Sequence, residues 1–325
     1  MNYFLAQLVN GITLGGMYAL IALGYTMVYG VLLMINFAHS EMFMSGAYIG
    51  LGTLLLLSNA GTQNALCKVL PFLSFLKSLR SFFTGSTVGL VMLFVIILAV
   101  AAGLTGCLGM LTERFAYRPL RHAPRLAPLI SALGVSIFLQ NAVLLWIAPN
   151  KPFPSLIPVK DLSGKMGLGI TPVRIIIVAT SVVLLIVLDL FIARTRVGKA
   201  MRATSQDQDA AGLMGINVNS VIALTFFIGP ALGAVAGVFS GVYYGTVTYN
   251  MGFMPGIKSF TAAVIGGIGN LRGAMLGGFM LGLLESFAQG YGPAAYKDVI
   301  TFVVLIVILV FRPGGLLGSS VVEKV

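Results

Sequence analysis

Apolar runs dominate the chain, and short polar stretches punctuate them. By a window of about 20 residues, the length a helix needs to cross a bilayer, eight apolar segments are legible: 4–33, 37–58, 87–111, 127–148, 172–193, 221–244, 258–287 and 298–311. None alternates apolar and polar residues as the strand of a membrane barrel does. Helices are therefore predicted, because a backbone facing lipid has to satisfy its own hydrogen bonds. The fold class is an all-α polytopic membrane protein with about 8–10 transmembrane helices, forming one domain over residues 1–325. The opening "MNYFLAQLVNGITLGG" has no basic stretch before its apolar run and reads as an uncleaved first span.

Two segments are too long for one simple span. Segment 4–33 carries Gly11, Gly15, Gly16, Gly24 and Gly30, and segment 258–287 carries Gly266, Gly267, Gly269 and Gly273. Each reads either as a pair of broken half-helices lining a cavity or as one helix whose glycines admit close neighbours.

Charge then sets the orientation. Two connections are densely basic: "ERFAYRPLRHAPR" holds Arg114, Arg118, Arg121 and Arg125, and "ARTRVGKAMR" holds Arg194, Arg196, Lys199 and Arg202. Both are placed in the cytoplasm. The loops 59–86 (Lys68, Lys77, Arg80) and 149–171 (Lys151, Lys160, Lys165 and four prolines) are placed outside. If both long segments split, ten crossings result and both termini lie inside. The net charge of +11, with charged residues only 9% of the chain, fits such basic loops and gives no reason to invoke nucleic acid. Membrane lipid is the expected surrounding.

Polar groups inside apolar runs are costly and are functional candidates. Asn36, His39, Ser40 and Glu41 cluster between the first two segments, and Asn270 and Arg272 follow Gly266, Gly267 and Gly269 in the break. Together they form either the wall of a translocation pathway or a set of helix caps. Asp189 is expected to pair with Arg194 or to snorkel, and Glu285 to be structural. The two histidines and two cysteines form no metal-ligand pattern, and no nucleophile or phosphate-loop motif is present. No enzyme, cofactor or metal is predicted.

The stretch "ATSQDQDAAGLMGINVNS" interrupts the apolar pattern with five consecutive polar residues. Thr204 with Asp207 fits a capping box. The spacing predicts a short helix from about Ser205 to Met214, with Gly215 as its left-handed cap. Ala210, Leu213 and Met214 share one face. A helix this short is not stable alone, so it is expected to rest on other helices or on a partner.

At this point the chain resembles a known family. "NGITLGGMYALIALGYTMVYGVLLMINFAHSEMFMSGAY", "ERFAYRPLR", "LISALGVSIFLQN", "LMGIN", "VIALTFFIGPALGAVAGV", "GFMPGIKSFTAAVIGGIGNLRGAMLGG" and "VEKV" are similar, in order, to the LivH-type permease subunits of bacterial branched-chain amino acid ABC importers. The resemblance implies the ABC-importer permease fold, a multi-pass place in the inner membrane, and a cytoplasmic coupling helix at 203–216. Residues Thr204, Asp207, Asp209, Ala210, Ala211, Gly212, Leu213, Met214 and Gly215 would then meet an ATPase, although the glutamate usual in such helices is replaced. It also implies four kinds of partner: a second homologous permease, two ATP-binding subunits, and a periplasmic branched-chain amino acid-binding protein. Import of urea, short amides or other amino acids by the same architecture remains open, as does ion-coupled secondary transport.

Overall fold

The computed structural model describes residues 2–32, 34, 36–59, 61, 87–121, 123–124, 126–147, 149–155, 162, 169–312 and 314–317. The loop charges Lys68, Lys77, Arg80, Arg125, Lys160 and Lys165, with Cys67, His122 and the terminal "VEKV", lie outside the described residues. The helices are α1 (Asn2–Leu32), α2 (His39–Ser58), α3 (Thr87–Thr112), α4 (Leu126–Trp146), α5 (Pro172–Arg194), α6 (Arg196–Gln206), α7 (Gln208–Leu213), α8 (Val218–Tyr244), α9 (Phe253–Gly266), α10 (Leu271–Tyr291) and α11 (Lys297–Phe311). One antiparallel ribbon pairs β1 (Asn150–Pro152) with β2 (Thr246–Thr248).

Eight of the described helical stretches are long and apolar enough to cross a membrane. Helix α9, with 14 residues, is about 21 Å long at a rise of about 1.5 Å per residue. That is short of a hydrocarbon core of about 30 Å.

Helix α1 is the centre of the bundle. Its faces from Leu14 to Val28 are almost wholly buried, and it packs most extensively against α10, then α8. Lipid tails are as apolar as leucine, so helices inside a bilayer associate through close packing rather than through hydrophobic exclusion. The sequence supplies that closeness with small residues four apart on facing helices. A methyl group at Gly11 would stand 2.8 Å from Leu283 Cα, and one at Gly15 would stand 2.7 Å from Phe279 Cα. From the other side, Gly278 and Gly282 meet Ala19 and Gly15. The same device joins α2 to α8, where Gly46 and Gly50 face Ala234 and Val238, and Gly237 faces Phe43 and Ala47.

This packing decides between the two readings of each long segment. The first long segment is a single helix: Gly11 and Gly15 meet the α10 backbone, Gly16 and Gly24 meet Ser181 and His39, and none of its glycines has a positive φ. The second long segment does break, at Gly267 and Gly269, with φ of 102° and 93°. These are angles that an L side chain rarely adopts. Helices α9 and α10 fold back on each other across the break, with Gly266 against Gly273 and Gly277 against Ala262.

The directions of the helices follow from the contacts at their ends. Tyr3 Oη donates to Gly290 O at 2.8 Å and Ser286 Oγ to Gln7 O at 2.7 Å, so the start of α1 lies beside the end of α10. At the opposite end, Gly30 and Val31 of α1 share a cleft with Met201 and Arg202 of α6. Arg121, in the first basic loop, donates to Asn219 at the start of α8 at 2.7 Å. Both basic connections therefore sit on one face. After α11 the chain returns to that face, where Leu316 N donates to Ile265 O at 2.7 Å. Among the described residues, the eight long stretches and the shorter α9 make nine passages between the faces. The start of α1 and the stretch at Leu316 thus lie on opposite faces, whereas ten crossings would put them on one.

The peripheral helices turn apolar stripes outward, as lipid contact requires. On α5 the exposed residues Val183, Ile186, Val187 and Leu190 follow helical spacing, as do Val299, Val303, Ile306 and Val310 on α11.

Two outcomes test this arrangement. Gly282→Leu forces a side chain into the α1 backbone and should cost about 1–3 kcal/mol or more, seen as a lower unfolding temperature in detergent. Gly134→Leu, on an open face of α4, should leave that temperature within a degree or two. In a chain lacking Cys67 and Cys107, cysteines at Tyr3 and Ser155 should react with an impermeant thiol reagent added to spheroplasts, and cysteines at Arg118 and Ala210 should not. Protection of Tyr3→Cys together with labelling of Ser155→Cys would refute the nine-passage path.

Candidate functional site: a capped helix, a broken hairpin and a buried charge cluster

The polar stretch forms two helices with a corner between them. Thr195 starts α6, its Oγ1 accepting from Gly198 N at 3.0 Å. Asp207 interrupts the helix in an extended conformation and caps α7. Its Oδ1 accepts from Asp209 N and Ala210 N, each at 2.9 Å. The helix thus starts two to three residues later than the sequence expectation, and the capping box does not form. Thr204 belongs to the last turn of α6 and is buried. A side chain turned inward to the bundle cannot reach back to an exposed helix start.

The far end closes as expected. Gly215 has φ of 84°, Gly215 N donates to Gly212 O at 3.0 Å, and Ile216 N donates to Ala211 O at 3.1 Å. This is the paired closure of a Schellman cap. Both ends of α7 are thereby satisfied without outside help. Ala211 is buried, whereas Asp209, Ala210 and Gly212 are exposed. Leu213 and Met214 project with 90% and 84% of their surface free. No atom lies within 4 Å of where a Cβ on Gly212 would be.

The polar residues at the start of α2 divide into two groups. Asn36 Oδ1 accepts from Ala38 N at 3.1 Å and from Tyr117 Oη at 2.7 Å, which ties this turn to the π-helical turn Glu113–Tyr117 that follows α3. Asn36 also lines a narrow crevice with Tyr25, Thr26, Tyr29, Met34, Phe260, Ala263 and Ile268. The other three face helix contacts instead. His39 is wholly buried, edge-on to the Tyr25 ring at 4.6 Å and close against Gly24. Ser40 Oγ donates to Phe37 O at 2.8 Å. Glu41 Oε1 accepts from Ser136 on α4 at 3.3 Å.

The break at 267–270 sits between this cleft and a second one. The second, of about 170 Å³, is lined by Thr26, Met27, Gly30, Val31, Ile192, Met201, Arg202, Ser205, Gly269 and Leu271. Asn270 caps α10, its Oδ1 accepting from Arg272 N at 3.1 Å and from Gly273 N at 3.2 Å, while its Nδ2 donates to Leu317 O at 2.8 Å. Gly266 lies inside the α9–α10 contact, against Gly273 and Ala274. Asp189 pairs with Arg272 at 2.8 Å and not with Arg194. The break thus brings the start of α10 beside the end of α5.

Sequence reasoning missed Lys258. It opens the apolar run 258–287, so hydropathy alone makes it an interfacial charge. In the fold it is buried on α9, with Nζ 2.8 Å from Glu285 Oε1 and 2.6 Å from Asp298 Oδ1. Lys297 approaches Glu285 at 3.5 Å, and Tyr18 Oη donates to Glu285 Oε2 at 2.8 Å. Two cations and two anions from three helices form a neutral cluster, the only economical way to keep such charges in apolar surroundings. The partners lie 27 and 40 positions away in sequence, beyond the reach of any local pattern.

A family model described as a branched-chain amino acid transport system permease component matches residues 7–309. The chain is 46% identical to the high-affinity branched-chain amino acid transport system permease protein BraD of Pseudomonas aeruginosa, over 99% of this chain and 98% of the relative. It is 43% identical to the corresponding permease protein LivH of Escherichia coli K12, over the same shares. A probable branched-chain amino acid transport permease protein LivH of Methanocaldococcus jannaschii is 25% identical, over 92% and 88%. No solved structure matches the chain significantly.

The charge cluster makes a specific prediction. Lys258→Met or Glu285→Gln alone leaves an unbalanced buried charge and should cost about 3–5 kcal/mol. The double variant restores neutrality and should recover most of that loss. Thermal unfolding of the four proteins in detergent measures the coupling. Additive losses would show that the two side chains act independently.

Proposed function

Because this chain belongs to the family of branched-chain amino acid transport system permease components, we propose that it is the transmembrane subunit of an ATP-driven importer for leucine, isoleucine and valine. It is a multi-pass protein of the bacterial inner membrane. The observation that carries the reading is α7: a helix closed at both ends, seated on the bundle through Ala211, that presents Leu213 and Met214 to a partner. An apolar ridge on a short basic-side helix is what a groove on another protein grips. We assign that groove to an ATP-binding subunit. The remaining partners are the second ATP-binding subunit, a homologous permease chain and a periplasmic amino acid-binding protein.

The path from this helix to the membrane interior is short. Helix α7 turns at Asp207 into α6, and α6 turns at Thr195 into α5. The end of α5 meets the start of α10 through Asp189 and Arg272. An exposed pair of this kind holds with about 0–1 kcal/mol, so it guides α10 without locking it. Arg202 and Ser205 of α6 face Gly269 across the larger cleft. A displacement of α7 would therefore reach the broken hairpin directly. In this reading the walls near Asn36, Ile268 and Gly269 border the route of the solute, with Gly267 permitting the turn. His39, Ser40 and Glu41 support that wall from behind, and Gly266 packs it.

The apolar walls suit a solute with a branched aliphatic side chain better than urea or a short amide. Of the two acidic groups an ion-coupled mechanism could use, Glu41 and Glu285, the second is already balanced by Lys258 and Lys297.

Leu213→Asp should leave insertion and thermal stability unchanged, since the side chain touches solvent. It should lower ATP-driven leucine uptake at least about tenfold in proteoliposomes holding the whole importer, the loss expected when a central interface anchor is removed. Uptake at the wild-type rate would remove α7 from the docking surface.

A further inference from the structure

A groove of about 630 Å³ lies where α3 ends and α8 begins, lined by Cys107, Met110, Leu111, Glu113, Arg114, Arg118, Asn217, Asn219, Ser220 and Ala223. It is separate from the clefts at the broken hairpin. We propose that this groove binds an anionic phospholipid, with the phosphate held between Arg114 and Arg118 and an acyl chain laid along Met110, Leu111 and Ala223.

Three observations support the assignment. The first is charge. Glu113 is taken up by Arg121, which also donates to Asn219. The Arg114 and Arg118 side chains are exposed and have no partner among the described residues, so two cations remain free at the groove. The start of the 27-residue helix α8 forms the facing wall, and the positive end of its dipole adds to the attraction for an anion.

The second is depth. Helix α3 turns Val88, Val91, Val95, Leu104, Cys107 and Leu111 outward. From the first to the last of these is about 35 Å of helix at about 1.5 Å per residue, close to the hydrocarbon thickness of about 30 Å. The arginines follow directly, at the level of the headgroups.

The third is continuity. Cys107 and Leu111 belong both to the outward stripe and to the groove lining. A lipid already lying against α3 has its headgroup beside the arginines without leaving the bilayer. Basic pockets between membrane helices on the positively charged face are the sites expected to select anionic headgroups. The inference does not depend on which solute the chain carries.

The test uses the full-length chain in detergent, titrated with phosphatidylglycerol or phosphatidylcholine, with bound lipid counted by native mass spectrometry. Wild type should retain phosphatidylglycerol preferentially. The Arg114→Gln/Arg118→Gln pair should lower that preference on the order of tenfold, as expected for two charges near the surface. The Arg196→Gln/Lys199→Gln pair, on the other basic connection, should not change it, and millimolar inorganic phosphate should not displace the lipid. Equal retention of the two lipids by wild type would overturn the proposal, as would the same loss in both variant pairs. So would an unchanged lipid preference in the Arg114/Arg118 variant accompanied by loss of the ATP-binding subunit, since the arginines would then belong to a protein contact.

Discussion

Close approach of helix backbones in an apolar solvent is the constraint on which the rest of this structure depends. Lipid gives little reason for one apolar helix to prefer another, so contact area has to come from fit. Glycines spaced four apart on α1 and α10, and again on α2 and α8, bring backbones so near that a methyl group would have no room at the contact. Helix α1 is thereby surrounded on nearly every side. Its burial fixes the level of Tyr18, Tyr25 and Thr26, which reach the charge cluster and the two clefts.

That central packing also explains where the polar groups are tolerated. The broken hairpin is held by glycine contacts along α9 and α10, and its open turn is tied down by Asn270 and by the chain following α11. The short helix α9 brings Lys258 inward, and the fold answers with Glu285 and Asp298 from two other helices. A buried charge set of this kind adds little net stability, but it is costly to mispair. It therefore selects one register for α9, α10 and α11. The turn between α9 and α10, which borders both clefts, is fixed by the same choice.

The basic face is organised by different physics. There the helices end, water is present, and caps and exposed ion pairs suffice. Asp207 and Gly215 close α7 from within, leaving its apolar residues free for another protein. On the same face Arg121 is occupied by Glu113 and Asn219, and its neighbours Arg114 and Arg118 are not. One face thus offers an apolar ridge and, beside it, an unneutralised pair of cations.

The sequence by itself determined the elements that depend on local chemistry. Hydropathy located the long spans, the arginine bias grouped the two basic connections that the fold places on one face, and Gly215 marked the end of α7, because each of these is read within a turn or two of helix. The family resemblance was equally legible, since it rests on long motifs in one order. Tertiary structure alone decided between the two readings of a glycine-rich segment. The glycines of α1 and those at 267–269 look alike in sequence, but the former lie against neighbouring helices and the latter form a turn. It also decided that Asp207 rather than Thr204 begins α7, that Asp189 meets Arg272, that Asn36 meets Tyr117 while His39 packs on Tyr25 and Glu41 meets Ser136, and that Lys258 lies inside the bundle. Each of these depends on residues brought together from distant parts of the chain, and local periodicity carries no record of such a partner.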